Sequence, residues 1–252
     1  MITVSSLSIK RGGKIVIHDF DFSWHRGEKL VLLGPNGAGK SSFALALSGM
    51  ISIESGEILI DSEPISDYDL PSLRKKIGIV FQDPESQFVT NDVRQEIAFG
   101  LSNIKLTREE IKTRVETIIN NFTLNELTSR DPLKLSGGEK QLVAIASICA
   151  MSPDYLIFDE VTSLLDRATR ERIYRLWEES SLSLLIITQN FDEIKYGDKV
   201  ILIENGEISF ESSATDLKEK SLITTDEIIF KRLLEKNKES IPQYERILEI
   251  LG

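Results

Sequence analysis

The chain has a single cysteine in 252 residues, Cys149, so no disulfide framework can form within it, which fits a reducing compartment. Cys149 sits in the apolar run 143–151, where a small buried hydrophobe is the expected role. The two histidines, His18 and His25, have no cysteine or acidic partner at metal-ligand spacing, which speaks against a zinc site. Basic residues are in the minority: 30 Lys and Arg against 40 Asp and Glu leave a net charge of −10. That balance lacks the basic footprint of a nucleic-acid binder and of a protein lying directly on anionic lipid, while leaving docking to a membrane protein open. No apolar run approaches bilayer length, and Met1-Ile2-Thr3-Val4 reads as the start of a strand rather than a signal peptide. A soluble protein is expected, with no nucleic-acid partner and no direct membrane insertion. Internal repeats and low-complexity segments are also missing. What is there is a hydrophobic content of 41% with 28% charged residues, enough for a real core.

The dominant local signal is Gly34-Pro35-Asn36-Gly37-Ala38-Gly39-Lys40-Ser41, entered from the apolar run 29–33. It satisfies G-x-x-x-x-G-K-[ST] between a predicted strand and a predicted helix over 40–49. Its glycines let successive N–H groups curl around an anion, and the helix N-terminus adds partial positive charge at the same point. Lys40 is expected to reach the β- and γ-phosphates of a nucleoside triphosphate, and the Ser41 hydroxyl to ligate Mg²⁺.

Around this loop the pattern is that of an α/β protein. Strands are predicted over 2–9 and 15–22, joined at Arg11-Gly12-Gly13-Lys14, with Phe20, Phe22 and Trp24 alternating against polar neighbours. Further strands are expected over 57–61, 77–81, 155–158 and 183–188, with a closing hairpin, 199–203 and 207–210, turning at Asn205-Gly206. Pro84 makes Asp83-Pro84-Glu85-Ser86 a loop in this reading. Helices are expected over 93–101, after the capping box that begins at Thr107, over 138–151 and over 167–180. Buried strands alternating with helices give a doubly wound α/β core carrying an antiparallel β subdomain and an inserted helical subdomain at about 91–152. Residues 212–252 carry amphipathic helical patterns, which suit either packing on the same domain or a subunit contact.

Two further motifs complete the chemistry. Asp159-Glu160 follows the apolar strand 155–158, placing Asp159 to hold Mg²⁺ and Glu160 to polarise a water for attack on the γ-phosphate. Leu135-Ser136-Gly137-Gly138-Glu139-Lys140-Gln141 then forms a second anion cradle at a helix start, which one nucleotide does not need from one chain.

At these residues the sequence resembles the ATP-binding cassette (ABC) ATPases, whose signature is Leu-Ser-Gly-Gly-x-x-Gln. The likeness covers about residues 1–210 and implies a P-loop NTPase fold, with 1–211 as the ATPase domain and 212–252 as a C-terminal extension. It implies ATP and Mg²⁺ as ligands, with the ATP-binding set running from Gly34 through Ser42. It also implies that Leu135, Ser136, Gly137, Gly138 and Gln141 act in trans, on the nucleotide of a second ABC subunit in a head-to-tail dimer. Gln82 matches the family glutamine that contacts Mg²⁺ or the attacking water and senses the transporter partner, and Asp166 matches the aspartate that reaches across the dimer. Two positions depart from the family. Gln189 stands where a switch histidine is expected, and glutamine hydrogen-bonds but carries no proton, so a slowed or asymmetric site is expected. Arg11 is the nearest match to the adenine-stacking aromatic; it is either a stacking guanidinium or a solvated turn arginine.

Residues 81–88, Phe-Gln-Asp-Pro-Glu-Ser-Gln-Phe, and Ala98-Phe99-Gly100-Leu101 look like the energy-coupling factor (ECF) ATPases of vitamin and metal uptake. That resemblance implies a peripheral location on the cytoplasmic side of the cell membrane, a transmembrane partner and a dimerising C-terminal extension. A soluble ABC ATPase outside transport, or a catalytically weak regulatory subunit of a heterodimer, are the alternatives.

Overall fold

The computed structural model describes residues 1–104 and 106–213. The helical extension expected over 212–252 therefore lies outside the described residues, apart from its first two. The chain opens with β1 (Ile2–Arg11) and β2 (Lys14–Trp24), an antiparallel hairpin. Its turn places Gly12 and Gly13 at φ +55° and +82°, conformations that L side chains rarely adopt. β3 (Lys29–Leu33) leads into the phosphate loop and α1 (Lys40–Leu47). That helix is shorter than expected, because Gly49 turns left-handed at φ +67° and the Met50 N–H folds back onto the Leu45 carbonyl at 2.8 Å. β4 (Ser55–Ile60) and the two-residue β5 (Glu63–Pro64) return to the hairpin, giving a four-stranded sheet ordered β2-β1-β4-β5.

After α2 (Leu70–Lys76) and β6 (Ile77–Val80), the stretch expected to be a plain loop makes one turn of 3₁₀ helix, Pro84–Gln87. Asp83 accepts from the Glu85 N–H at 3.0 Å and Pro84 supplies a preset φ, so two helix-start residues act together and the turn forms despite the proline's effect on its neighbour. The inserted helices follow: α3 (Val93–Ser102), α4 (Arg108–Asn121) and α5 (Gly137–Ala150). The Thr107 capping box is formed with Glu110, as expected. β7 (Tyr155–Asp159), α6 (Arg167–Glu179), β8 (Ser183–Thr188), β9 (Lys199–Glu204) and β10 (Glu207–Ser213) complete the core.

The main sheet has six strands in the order β10-β9-β3-β8-β7-β6, parallel except for the β9–β10 hairpin. Both its faces are covered, so its strands read as continuous apolar runs whose side chains alternate between two cores. Leu30, Leu32, Tyr155, Ile157, Leu185 and Ile187 pack with α1 and the antiparallel sheet, where Trp24 meets Tyr155 edge-on at 4.8 Å. Val31, Leu33, Leu156, Phe158, Leu184 and Ile186 pack with the inserted helices and α6. Cys149 is half-buried and packs against this second core, and burial pushes its thiol pKa up to about 12. The parallel register sets Leu33 beside Thr188, Asp159 beside Ile187 and Val80 beside Phe158. The loops leaving β3, β6, β7 and β8 consequently emerge along one edge, the place where open α/β sheets bind ligands.

Candidate nucleotide-binding site

Four loops build the site. In the first, Gly34 and Gly39 have φ of +155° and +100°. A Cβ on Gly34 would run into the Ile203 carbonyl, and one on Gly39 would lie 2.6 Å from both the Val16 carbonyl and Ile17 Cδ1. The loop is thus pressed between β2 and β9, and only glycine fits at either point. Lys40 is 4% exposed. Its ammonium donates to the Gly34 and Pro35 carbonyls at 2.7 and 3.0 Å and lies 3.4 Å from Glu160 Oε1.

The second loop follows β7. Ser41 Oγ donates to Asp159 Oδ1 at 3.1 Å, joining the residues expected to share a cation. Burial raises the Asp159 pKa, opposed by the Ser41 hydrogen bond and increased by the charge of Glu160. Glu160 takes a left-handed backbone, φ +52°, anchored by its N–H on the Ile187 carbonyl at 2.9 Å. The third loop follows β8: Gln189 Nε2 donates both to Glu160 Oε1 at 2.9 Å and to Asn36 Oδ1 at 2.8 Å. The amide therefore bridges the phosphate loop and the carboxylate expected to polarise water.

The fourth loop, after β6, carries Gln82. Its amide donates to Ser163 Oγ at 3.0 Å, and Ser163 Oγ in turn donates to the Glu160 carbonyl at 2.8 Å. Gln82 therefore bonds neither Ser41 nor Asp159 and reaches the Glu160 loop through Ser163.

The signature residues stand apart from this constellation: among the described residues no hydrogen bond joins 135–141 to 34–42. Ser136 caps α5 in a capping box. Its hydroxyl donates to Glu139 Oε2 at 2.7 Å, and its own N–H reaches the same oxygen at 2.8 Å. Those hydrogen bonds hold the Glu139 carboxyl below its usual pKa. Leu135 and Gln141 are buried, with Gln141 Nε2 donating to the Phe81 carbonyl at 3.2 Å. Asp166 caps α6, accepting from the Thr169 N–H at 3.0 Å and the Thr169 hydroxyl at 2.9 Å, which lowers its pKa. Gly138 lies against Thr169, so the signature and the Asp166 turn are in contact. Arg11 is exposed beside the hairpin turn, in register with Lys14. Sequence reasoning missed the capping box of Ser136, although Ser-x-x-Glu is its usual sign. It also missed the Asn36–Gln189 pair, which no local pattern announces.

The chain matches the ABC transporter family over residues 17–163. It is 38% identical over 202 residues, 79% of this chain and 72% of that protein, to the energy-coupling factor transporter ATP-binding protein EcfA1 of Latilactobacillus sakei. To EcfA1 of Fusobacterium nucleatum it is 36% identical over 241 residues, 94% of this chain and 91% of its relative. Among solved structures it resembles cbiO1 from Clostridium perfringens, part of the ABC transporter complex cbiONQ, with a TM-score of 0.77 and 30% identity over 98% of both chains. A bacterial ABC transporter cassette solved as a dimer gives a TM-score of 0.76 and 25% identity over 85% of this chain and 99% of that one. The chain belongs to the ABC transporter ATPases, among the ATP-binding proteins of energy-coupling factor transporters.

Proposed function

We propose that this chain is the ATP-binding and ATP-hydrolysing subunit of an ECF-type importer for a vitamin or a metal ion, working as a head-to-tail nucleotide-sandwich dimer. The observation that carries the reading is the convergence of Lys40, Ser41, Asp159, Glu160 and Gln189 at one sheet edge, with contacts among them of 2.9–3.4 Å. Lys40 exchanges its two carbonyl partners for β- and γ-phosphate oxygens. Ser41 and Asp159 suit Mg²⁺: a buried carboxylate stands beside a hydroxyl and, among the described residues, makes no ion pair within 4.0 Å, although the charge of Lys40 acts on it. Ser41 and Asp159 would hold the ion, with Gln82 as the further ligand the family pattern implies, and it would neutralise phosphate charge. Glu160 accepts a proton from water, and Gln189 orients that carboxylate while donating toward phosphate. Ser136 and Gly138 serve the nucleotide of the second subunit, Asp166 faces the dimer seam, and Arg11 stacks on adenine.

For the transmembrane partner, the supporting feature is an apolar groove of about 650 Å³ between the core and the inserted helices. Met50, Leu70, Phe88, Phe99 and Ile148 line it, and Leu70 is 63% exposed. The buried Gln87 Nε2 on its wall has no hydrogen-bond partner among the described residues, a donor available to a docked backbone carbonyl. The ATPase domain is assigned to 1–211, its helical subdomain to 91–152 and dimerisation to 212–252, on the cytoplasmic face of the membrane. A second reading, a weak subunit paired with a stronger one, is favoured by Gln189, which has no titratable nitrogen.

The test is an affinity pull-down of the full chain from detergent-solubilised membranes. A transmembrane subunit and a second ATPase are expected to accompany it, with Mg²⁺-dependent turnover lost in Glu160→Gln while ATP binding persists. Recovery without a membrane protein would refute the importer assignment, and turnover by Glu160→Gln would refute the role of the carboxylate.

A further inference from the structure

Glu193 is a carboxylate in the wrong place for a surface acid. It sits in the 3₁₀ turn Phe191–Tyr196, four residues after Gln189, and is 1% exposed. Oε1 accepts from the Thr162 hydroxyl at 2.5 Å and from the Tyr174 hydroxyl at 2.9 Å. Among the described residues it makes no ion pair within 4.0 Å. Tyr174 also receives Asn190 Nδ2 at 3.4 Å and stacks on Tyr196 at 4.6 Å. A position needing only bulk would be better filled by an apolar side chain, because a buried unpaired carboxylate costs more than its hydroxyl donors return.

What the carboxylate joins is informative. The segments 160–162 and 187–193 are tied by three rungs. The first is backbone, Glu160 N–H to the Ile187 carbonyl; the second is Gln189 to Glu160; the third is Glu193 to Thr162. Only the third reaches past Glu160 toward the turn 163–166. Beyond it, Arg170 donates to the Leu165 carbonyl at 3.0 Å and Asp166 caps α6. Of the two side-chain rungs the third is the more enclosed, since Thr162 is 4% exposed and the Glu160 side chain 14%.

We propose that Glu193 is a positioning residue: through the Thr162 hydroxyl it fixes the turn 160–166 against the turn that carries Gln189, so the loop facing the second subunit follows the state of the γ-phosphate end of the site. The inference rests on the nucleotide reading above and adds a residue that touches neither nucleotide nor water.

The test uses the full chain, in the recovered transporter complex where turnover requires it. Thr162→Val keeps shape and removes the donor. Its kcat is expected to fall roughly tenfold, the rate equivalent of one hydrogen bond to a charged group, while KM for ATP stays within about twofold. Thr162→Ser restores the rate. Glu193→Gln, whose carbonyl still accepts from both hydroxyls, retains most of it, whereas Glu193→Ala does not. In nucleotide-free protein, amide exchange rises in 187–193 for Thr162→Val and in 160–166 for Glu193→Ala, with α3–α5 unchanged. Turnover in Thr162→Val equal to that of the unaltered chain, or a loss of rate accompanied by faster exchange throughout the molecule, would overturn the proposal. Failure of the unaltered chain to bind ATP would instead overturn the nucleotide reading and this inference with it.

Discussion

Gly138 stands at the second position of α5 with ordinary helical backbone, so conformational freedom does not explain it. Its neighbour does: an added Cβ would overlap Thr169 Oγ1 and come within 2.9 Å of Thr169 Cγ2. Thr169 cannot turn aside freely, because its hydroxyl is committed to Asp166 Oδ2 at 2.9 Å. Gly138→Ala is therefore an overpacking substitution, costing about 1–3 kcal/mol. Alanine's better helix propensity returns up to about 1 kcal/mol. With that full return the net loss is roughly 0–2 kcal/mol, and Tm falls by up to about 8 °C for a chain of this size. In a Thr169→Ala background the overlapping atoms are gone, and the same substitution becomes neutral or stabilising by up to about 1 kcal/mol. Thermal unfolding of the four chains gives the cycle directly. Equal costs in both backgrounds, within about 0.5 kcal/mol, would refute the packing explanation. A second readout separates packing from nucleotide contact. In the Glu160→Gln background, ATP-driven dimerisation followed by size exclusion is expected to stay impaired by Gly138→Ala even when Thr169→Ala has restored stability. Full recovery of the dimer would show that the glycine serves only its own chain.

Three other outcomes follow from the site. Gln189→His is expected to raise turnover several-fold by supplying a titratable nitrogen at this position, and phosphate release at an unchanged rate would remove the case for a slowed site. Lys40→Ala is expected to weaken ATP binding at least about tenfold, as the loss of a charge-assisted contact to phosphate implies; fluorescent-nucleotide titration with an unchanged Kd would contradict it. Asp159→Asn concerns stability against pH. Burial raises the folded pKa of Asp159 above its unfolded value, so the folded form binds more protons and stability falls as pH rises from the unfolded value through the folded one. The Asn variant removes that loss. Its Tm advantage over the unaltered nucleotide-free chain should grow as pH rises through this window, while Mg²⁺-dependent turnover disappears. A constant difference across the window would refute the assignment.

The phosphate loop was legible because its function is written in contiguous residues. A strand, three glycines, Lys40 and Ser41 share one local geometry, and the observed elements differ from the expected ones by only a few residues. The hairpin turns at Gly12-Gly13 and Asn205-Gly206 were legible for the same reason, each needing positive φ at both central positions. Contacts across the fold were not. Asn36 meets Gln189 across 153 residues of sequence, and Glu193 meets Thr162 across 31, in both cases because the parallel register sets strand ends side by side. Glu193 was hidden by composition, since one acid among 40 acidic residues in a polar-looking turn gives no sign that it points inward. The turn at Pro84 is hidden for a different reason: proline restricts its preceding neighbour but also suits the first position of a helix, and the second effect prevails here.

The resting position of Lys40 has a consequence for selectivity among phosphate compounds. The buried ammonium already holds two carbonyl oxygens and lies beside a carboxylate, so an incoming anion must outbid partners the protein provides for itself. A single phosphate offers one exchange and gains little by it. A chain of phosphates engages the curled amides, the helix start and the lysine together, and the combined gain exceeds the cost of release. A loop built in this way favours ligands that carry several phosphates over those that carry one.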